Sequence, residues 1–415
     1  MNSLTNMNVL ILHAHWNNRG DEAAIRAMID SLRSELNIAN IEIMILSSKI
    51  YQFPYNDITL LNIYPGATKM SYVDSLLCLF TYGKYSVCRE GKNYLNSLNR
   101  ADIVIHAPGG PSIGDMYGGK IRDYPYLCRL LIATFKSKTM LFYAPSMGPF
   151  TNKLLNTARK FILKRSKLIV VREEISANYL KEQLELDSHV TVDSAFQNQI
   201  PENYISKYRN AIEISNMLED KKVVGLTITD LKWHPKYKVY SKLNEEIVQS
   251  MLEFVEFLVN KEYTVLLIPQ LFGEQNDAVL LQQFQKIDET KIVILPEYID
   301  SYAQQLIISK LFCFIGMRYH SNIFAAKQKV PFISIYYEHK MKGFMEKLEL
   351  TELMINVELI SSEKIIKKFI YLEQNYEAIH KHLNTHVPFL IKESQKTTEL
   401  VLKSLIYDVS KKECS

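Results

Sequence analysis

The sequence predicts an α/β protein with two doubly wound parallel sheets, each covered by helices on both faces. Short apolar runs typical of strands buried on both faces alternate with helical patterns along most of the 415 residues. The alternation stops over a polar stretch at 201–222 and starts again at Val223. Because a chain of this length is too long for one ordinary core, we expect two domains of about 200 residues each, facing each other across a cleft.

The first domain is predicted to cover residues 1–200. Its first strand runs from Asn8 to His13, and a helix follows from Gly20 to Leu36. Five further apolar runs, most of them separated by helical patterns, are strand candidates: NIEIMIL, ADIVIHA, KTMLFYA, KLIVVRE and VTVDSAF. Strands joined through helices form a parallel sheet, so the ends that carry polar residues meet at one edge.

The second domain is predicted to cover residues 223–370, with 201–222 as the linker. It repeats the alternation from VVGLTIT at Val223 through helices and strands to a final strand and helix. The predicted helices run over Lys242–Lys261, Gln275–Ile287 and Ser301–Ser309, and a further helix opens at Ser321. The last stretch, 371–415, is predicted to be a helical tail that packs back on the first domain.

The stretch from Phe312 to Lys340 forms a predicted βαβ unit with polar residues at both strand ends. Arg318 and His320 leave the first strand, and Glu338, His339 and Lys340 leave the second. Neighbouring parallel strands lie roughly 4.8 Å apart, so these groups converge at the edge where α/β sheets bind ligands. A guanidinium, an imidazole and an ammonium beside a helix N-terminus predict an anion site, although solvated cations and a capping histidine would also give this pattern.

Composition excludes several classes of function. The net charge of +4 comes without lysine or arginine blocks, which argues against a nucleic-acid partner and leaves only weak attraction to an anionic membrane surface. Five scattered cysteines without CxxC spacing fit a reducing cytosol rather than a disulfide framework. The N-terminus resembles no signal peptide, and no apolar run reaches the length of a membrane span, so we expect a cytoplasmic protein.

The loop after the first strand contains three candidate ligand-binding residues. Gly20 permits a tight turn, Asn18 can cap the helix, and Asp21 lies in the first helical turn. Asn18 and Asp21 could also hold sugar hydroxyls, whereas Glu22 is interpreted as ordinary capping. Three further loops follow strand ends and contribute candidates of the same kind: Gly109, Gly110 and Asp115, then Ser146 and Gly148, then Arg172.

Two other features receive structural interpretations. His13 and His15 point to one face of a strand, as metal ligands do, but no third ligand stands at suitable spacing. They are interpreted as core or cleft histidines, and we expect no metal. The basic helix KLLNTARKFILKRSK is amphipathic and is expected to pack on the sheet rather than enter a membrane.

Taken together, the motifs resemble the polysaccharide pyruvyl transferase family. They occur in the family's order over most of residues 8–350: NNRGDEA, PGGPSIGD, APSMGPF, VREEIS, VDSAF, IPQ and GMRYHSNIFAAKQKVPFISIYYEHKMKGF. The resemblance implies two Rossmann-like domains of the GT-B kind. It also implies transfer of pyruvate from phosphoenolpyruvate onto two hydroxyls of a sugar as a ketal, without a cofactor or a metal, in the biosynthesis of a bacterial exopolysaccharide or capsule.

The resemblance also implies roles for individual residues. Arg172, His320 and Lys340 match basic positions that are essential in the family, and Arg318 stands in the same motif as His320. His320 would be the general acid or base, and the other three would hold the donor's charges. The donor would bind mainly to the second domain and the sugar to the first. The implied acceptor is a lipid-linked oligosaccharide, reached by peripheral contact with the inner membrane face.

The sequence differs from the family pattern at two places, and two alternative functions remain open. Pro111 stands where a third glycine is expected, and the loop after Gly225 lacks an arginine that Lys232, Trp233 and His234 would have to replace. One rival is a nucleotide-sugar glycosyltransferase of the GT-B kind, since Glu338 and Glu346 have the spacing of paired glutamates in some of those enzymes. The other is a non-catalytic scaffold of a polysaccharide assembly complex, which would not need the basic cluster.

Overall fold

The computed structural model divides the chain into two compact units. Unit 1 comprises Met1–Trp16, Ala24–Asn198 and Lys392–Ser415, and unit 2 comprises Asn17–Ala23 and Gln199–Ile391. The structure describes residues 5–45, 53–62, 69–116, 124–137, 139–197, 200, 214, 222–273 and 276–413. The predicted linker at 201–222 therefore lies almost entirely outside the described residues.

Unit 1 is built on a seven-stranded parallel sheet in the order β3-β2-β1-β4-β6-β8-β9, with a separate parallel pair formed by β5 and β7. Its strands are β1 Thr5–Ala14, β2 Asn37–Ile45, β3 Ile58–Asn62, β4 Ile103–His106, β5 Gly109–Ile113, β6 Met140–Phe142, β7 Pro145–Met147, β8 Leu168–Val171 and β9 His189–Val190. Its helices are α1 Arg19–Glu35, α2 Lys69–Phe80, α3 Arg89–Arg100, α4 Tyr124–Lys136, α5 Lys153–Arg165 and α6 Glu174–Leu184, and α1 begins in unit 2.

The apolar side chains of the central strands divide between two cores. Leu10 and Leu12 of β1 belong to one core, and Val9 and Ile11 belong to the other. Successive residues of a strand point to opposite faces, so the two cores cover the two faces of the sheet. This explains why the strands of unit 1 appear in the sequence as continuous apolar runs rather than as alternating ones.

Unit 2 is built on a six-stranded parallel sheet in the order β12-β11-β10-β13-β14-β15. Its strands are β10 Val223–Thr227, β11 Thr264–Leu267, β12 Ile292–Ile294, β13 Cys313–Gly316, β14 Phe332–Tyr336 and β15 Met354–Asn356. The helices that follow β10 are α7 Ser241–Asn260, α8 Asp277–Gln285, α9 Ser301–Ile308, α10 Tyr319–Lys327, α11 His339–Lys347, α12 Ser362–Gln374 and α13 Tyr376–Glu413. Among the described residues, no helix is long and apolar enough to cross a membrane.

The end of α13 packs within unit 1. From Lys392 onward it belongs to that unit, and Val401 and Leu405 lie in the core that also holds Val9 and Ile11. Polar contacts accompany the apolar ones: the Tyr143 hydroxyl lies 2.5 Å from the Thr398 hydroxyl, and the Ser394 hydroxyl donates to the Asp193 carbonyl over 2.7 Å. The C-terminal residues are therefore part of the first core and not an appendage.

Both large sheets share one topology. In each, the first strand along the chain lies at the centre, beside the fourth, and the order of the strands reverses between them. This point falls between β1 and β4 in unit 1, where Leu12 pairs with His106, and between β10 and β13 in unit 2, where Thr227 pairs with Gly316. Ligands of open α/β sheets bind outside the carboxyl ends of the strands at such a switch point.

The structure corrects two of the expected elements. VTVDSAF is not a strand, because only His189–Val190 pairs with β8 and a 3₁₀ turn follows at Ser194–Phe196. The turn forms because the Asp193 carboxylate accepts the Ala195 N–H over 2.9 Å. Helix α10 begins at Tyr319 instead of Ser321, whose hydroxyl donates to the Arg318 carbonyl over 2.7 Å.

Substitution of two glycines of unit 2 by alanine should change the free energy of unfolding in opposite directions. A Cβ on Gly316, at the end of β13, would lie 1.7 Å from Oδ1 of Asn322, whose amide is held by the Ser334 hydroxyl at 2.8 Å. We expect Gly316→Ala to lower the free energy of unfolding by about 1–3 kcal/mol, as overpacking does. Gly343, inside α11, has open space around it, so Gly343→Ala should raise it by roughly 0.5–1 kcal/mol. Urea unfolding measures both, and equal effects would contradict the packing.

Candidate anion site

The turn after β13 places Arg318 at the switch point of unit 2. The Met317 N–H donates to the backbone carbonyl and to the hydroxyl of Thr227, over 3.1 Å in both cases, which fixes the turn against β10. Arg318 is the N-cap of α10 but forms no side-chain cap there. Its side chain therefore leaves the helix end and is available for other contacts at this edge of the sheet.

The Arg318 guanidinium is buried and paired. Its Nη2 donates to Oδ1 of Asp277 over 2.5 Å, and its central carbon lies 5.3 Å from the centroid of the Trp233 ring. Burial alone would lower the pKa of Arg318, but the Asp277 carboxylate and Tyr337 outweigh it and raise the pKa, so the group stays charged. Among the described residues, none accepts a hydrogen bond from its buried Nε. An anion could accept that remaining N–H.

Asp277 is itself held in place by backbone donors. Its Oδ2 accepts the N–H groups of Gln270 and Leu271 over 3.1 and 3.0 Å. The Gln270 side chain in turn donates to Gln304 over 2.6 Å. One carboxylate oxygen of Asp277 is therefore bound to Arg318 and the other to two backbone N–H groups. The backbone holds the carboxylate in place, and the carboxylate fixes the direction of the Arg318 side chain.

A second ion pair, between a partly exposed lysine and a buried glutamate, lies at the neighbouring strand end. Lys340, in the first turn of α11, places its ammonium 2.6 Å from Oε2 of Glu338, and the other carboxylate oxygen of Glu338 lies 3.2 Å from Nε2 of His234. The Lys340 ammonium also lies 5.6 Å from the centroid of the Tyr319 ring. A lysine ammonium has three N–H donors, so the contact with Glu338 leaves N–H groups that could donate to a ligand.

The His320 imidazole is buried against Gly20, in the first turn of α1 directly after the loop that follows β1. A Cβ on Gly20 would lie 2.0 Å from Cγ and Nδ1 of His320, so only glycine fits there. Asn18 shapes the loop, since its Oδ1 accepts the Gly20 N–H over 2.9 Å. Asp21 is only 7% exposed, and no described side chain donates to its carboxylate. Asn18, Gly20 and Asp21 thus lie with His320 in unit 2, whereas the sequence analysis expects them in the first domain.

Arg19 and Glu22 hold that loop on unit 2. Nη1 of Arg19 pairs with Glu22 over 2.5 Å, and the other carboxylate oxygen of Glu22 accepts the Ser301 hydroxyl over 2.9 Å. The Arg19 N–H also donates to the Gln270 carbonyl over 2.9 Å. Glu22 is fully buried, which capping alone does not require. Arg19 is not among the residues predicted from the sequence, because nothing near it in the chain predicts partners 250 residues away.

The three residues that the sequence offered as replacements for an arginine have separate places. Trp233 covers the Arg318 guanidinium, and His234 contacts Glu338. The Lys232 side chain is exposed and lies 3.7 Å from Asp230. Glu338 is buried while Glu346 is half exposed beside Lys342, so the two glutamates occupy different environments.

Arg172 lies in unit 1 at the end of β8 and is also paired. Its Nη1 donates to Asp193 over 2.6 Å, and its Nε donates to the Ser146 hydroxyl over 2.8 Å and to Glu173 over 3.2 Å. Arg172, Asp193 and Ser146 are buried. The arrangement ties the loops after β6 and β8 together through one guanidinium.

The glycine-rich loops of unit 1 serve mainly to pack against each other. A Cβ on Gly114 would lie 2.7 Å from the backbone of Gly148, whose N–H donates to the Ile113 carbonyl over 2.9 Å. Gly148 has a positive φ of 81°. Gly109 begins β5 by pairing with Pro145, while Gly110 beside it has open space around its Cα. Unlike Gly114 and Gly148, Gly110 leaves backbone open to a ligand.

Asp115 is engaged in an ion pair. Its Oδ1 accepts Nη2 of Arg159 over 2.5 Å, and its Oδ2 accepts the Asn152 N–H over 2.8 Å and the Thr151 hydroxyl over 3.0 Å. Burial alone would raise the pKa of Asp115, but the bonds from Arg159 and Asn152 outweigh it and hold the pKa below its usual 3.8. These contacts give Asp115 a structural role at the start of α5.

A cluster of histidines marks the switch point of unit 1. The His13 ring lies 4.9 Å from that of His15, 5.0 Å from that of His106 and 4.4 Å from that of Tyr126. Tyr126 donates to Nε2 of His106 over 2.6 Å. Burial lowers the pKa of His106 to about 4 and, with the nearby charges of His15 and His106, lowers that of His13, so both are neutral near pH 7. His13 also has a positive φ of 63°, which is unusual for a residue other than glycine.

The fold and the two switch-point clusters define a two-domain Rossmann-like protein with a buried cationic site in unit 2. The chain belongs to the polysaccharide pyruvyl transferase family, whose model matches residues 18–339. It is also similar to the amylovoran biosynthesis protein AmsJ of Erwinia amylovora, with 24% identity over 96% of this chain and 100% of that protein. The match begins at Asn18 and ends at His339, so it takes in Arg318 and His320 but stops one residue before Lys340.

Solved structures share the fold at low sequence identity. The UDP-GlcNAc 2-epimerase of Neisseria meningitidis has a TM-score of 0.57 and 15% identity over 97% of this chain and 100% of that chain. The trehalose 6-phosphate synthase of Burkholderia multivorans has a TM-score of 0.52 and 11% identity over 99% and 98%. These similarities confirm the predicted GT-B-like fold class.

Acid should test the structural role of Asp115. Its lowered pKa means that the folded state favours the ionised carboxylate, so the stabilisation is present above about pH 4 and is lost as the pH falls through the folded-state value. We expect Asp115→Asn to lower the free energy of unfolding by about 1–3 kcal/mol at pH 7 and to flatten its decline below pH 4. Urea unfolding at a series of pH values measures both effects.

Asp57→Asn is the matched control for Asp115→Asn. Asp57 pairs with Arg33 at 2.6 Å, but its side chain is 70% exposed, so its loss should change the free energy of unfolding by about 1 kcal/mol or less. Equal effects of the two substitutions would show that the Asp115 contacts do not stabilise unit 1.

Proposed function

We propose that this protein transfers pyruvate from phosphoenolpyruvate onto two hydroxyls of a sugar residue as a ketal, in the biosynthesis of a bacterial surface polysaccharide. The observation that carries the proposal is the position of Arg318 and His320 directly after β13 and of Lys340 directly after β14, the strand that pairs with β13. The family model supports it by matching most of the chain, and so does the similarity to a protein of amylovoran biosynthesis.

The chemistry of the donor matches this cluster. Phosphoenolpyruvate carries a carboxylate and a phosphate, which bind to planar guanidinium groups and to ammonium groups. We assign Arg318 and Lys340 to these charges. Asp277 and Glu338 pair with the two cations and orient them before the donor arrives. Since each cation keeps N–H groups that its carboxylate does not occupy, a donor can bind without breaking either pair.

His320 is proposed as the group that gives a proton to the enol methylene carbon. Protonation leaves a cationic carbon at the centre of the donor, and the oxygen of one sugar hydroxyl bonds to that carbon and loses its proton. The bond from this carbon to the phosphate oxygen then breaks, and phosphate leaves with the electron pair. The second hydroxyl bonds to the same carbon and loses its proton, which completes the ketal. An imidazole exchanges protons near neutral pH and suits the first step.

Unit 1 is proposed to bind the acceptor sugar. Its switch point carries His13 as a neutral imidazole whose Nδ1 has no hydrogen-bond partner among the described residues and can accept a hydrogen bond from a hydroxyl. Gly110 offers open backbone nearby in the chain. Arg172 is proposed as a positioning residue of unit 1, since its contacts go to Asp193, Glu173 and Ser146. The expected acceptor remains a lipid-linked oligosaccharide at the inner membrane face.

A donor assay tests the proposal against its rival. The full-length protein is incubated with phosphoenolpyruvate and a panel of lipid-linked sugars, and release of inorganic phosphate is followed. We expect release only when donor and a suitable acceptor are both present. Thermal unfolding with phosphoenolpyruvate or with a nucleotide sugar decides which donor binds, since a ligand of the native state raises the midpoint. Stabilisation by the nucleotide sugar alone would favour glycosyl transfer, and stabilisation by neither would favour a scaffold.

His320→Gln should abolish turnover while leaving donor binding largely intact. Glutamine keeps a polar side chain of similar reach but cannot act as a proton donor to carbon, so a loss of at least about 100-fold in turnover is expected. Phosphate release measures turnover, and the thermal shift with phosphoenolpyruvate measures binding. His339→Gln is the matched control, because His339 is exposed at the start of α11 and should keep normal turnover. Near-normal ketal formation by His320→Gln would remove His320 from the mechanism.

Gly20→Ala should reproduce much of the effect of His320→Gln. The added methyl group would overlap the imidazole, so either the ring or the loop must move. A displacement of about 1 Å in a catalytic group can cost on the order of 100-fold in rate. Turnover by Gly20→Ala is measured beside that of Gly343→Ala, where open space surrounds the added group and no role in binding is proposed. Unchanged turnover in Gly20→Ala would show that the position of His320 is not critical.

A further inference from the structure

Unit 2 contains a second group of ligand-type side chains, away from the residues assigned to the reaction. Glu349 follows the end of α11, and His382 and His386 lie on α13. One ligand atom from each of the three lies within 4.8 Å of the others. The two histidines are four residues apart and therefore share one face of the helix. We propose that Glu349, His382 and His386 bind a divalent transition metal ion of the zinc type.

The hydrogen bonds of both imidazoles prepare them for a metal. Nε2 of His382 lies 2.7 Å from the Leu348 carbonyl, and Nδ1 of His386 lies 3.0 Å from the His382 carbonyl. A carbonyl only accepts, so each of these ring nitrogens carries the proton, and the other nitrogen of each ring has a lone pair. Histidine ligands in metal sites characteristically donate their second N–H to such a group, which sets the tautomer and the orientation of the ring.

The donor set selects the kind of ion. Two imidazoles and one carboxylate suit Zn²⁺ and its neighbours Co²⁺, Ni²⁺ and Cu²⁺, while Mg²⁺ and Ca²⁺ require mostly oxygen ligands. The three side chains are partly or largely exposed, so water completes the coordination. Nε2 of His386 lies 3.5 Å from the Glu349 carboxylate, so two of the proposed ligand atoms are already neighbours.

The ion would join two helices of unit 2. Glu349 is tied to the C-terminal end of α11, whose N-terminal turn carries Lys340, and the histidines belong to α13. Cross-linking them stabilises the folded state by the free energy of metal binding. This role is independent of the proposed function and takes no part in the pyruvyl transfer.

Without a metal, the same contacts have a simpler explanation. His382 would only satisfy a carbonyl at the end of α11, and His386 would only form an exposed pair with Glu349. Such a pair contributes at most about 1 kcal/mol. The two explanations predict different results when Zn²⁺ is added, so a metal titration distinguishes them.

The test is a metal titration of the full-length, untagged protein. Calorimetry with Zn²⁺ should give one site, and Zn²⁺ should raise the midpoint of thermal unfolding while Mg²⁺ leaves it unchanged. Co²⁺ should give the visible absorption of a nitrogen- and oxygen-ligated ion. His382→Gln, His386→Gln and Glu349→Gln should each weaken Zn²⁺ affinity at least tenfold. Loss of a residue that only hydrogen-bonds a metal ligand already lowers metal affinity by about 10- to 100-fold, and loss of a ligand itself should cost no less.

Glutamine retains a hydrogen-bond donor to the Leu348 carbonyl, so the metal-free variants should unfold near the midpoint of the parent protein. His380→Gln is the matched control, because His380 lies on the same helix but outside the group and should leave affinity unchanged. The proposal is overturned if Zn²⁺ binds no more tightly to the parent than to the His382→Gln/His386→Gln double variant, or if His380→Gln weakens binding as much. It is also overturned if the parent binds no Zn²⁺.

Discussion

A guanidinium that leaves water must be paired, and in unit 2 the partner of Arg318 is Asp277. The pair lies where the strand order reverses, so the cation stands where ligands of such sheets bind. Its geometry depends on backbone N–H groups of Gln270 and Leu271, which hold the second carboxylate oxygen. The backbone of one loop therefore sets the direction of a side chain that follows a different strand.

The same loop also anchors the first turn of α1. Gln270 uses its N–H for Asp277 and its carbonyl for the N–H of Arg19. Arg19 then pairs with Glu22, whose carboxylate reaches Ser301. Gly20 lies between these contacts and packs against His320. The imidazole is therefore confined by a segment that the chain supplies 300 residues earlier, and a side chain at Gly20 would remove the space that the ring occupies.

The sequence predicts the sheets well because their signal is local. Runs such as LFCFIG are apolar throughout, and strands buried on both faces require this composition. The partners of the site residues cannot be predicted from local sequence in this way. Asp277 looks like the first residue of an ordinary helix, and its pairing with Arg318, 41 residues later, follows only from the fold. His106 likewise appears as the last residue of a strand, and only the parallel pairing of β1 with β4 brings it to His13. Local pattern predicts which groups reach the edge of a sheet, and tertiary structure determines which of them meet.

The charges around the anion site are nearly balanced before any ligand binds. Arg318 faces Asp277, and Lys340 faces Glu338, so one buried and one partly exposed cation are matched by two buried carboxylates. An unpaired guanidinium as buried as that of Arg318 would lose several kcal/mol of hydration, and the Asp277 carboxylate offsets that loss. An anionic donor of the kind proposed would therefore meet nearly balanced charges instead of a strongly positive site. Its affinity then depends on the N–H groups that the carboxylates leave open, and on their direction, more than on net charge. A site of this kind discriminates by geometry, because an anion of the wrong shape would have to break a buried ion pair to bind.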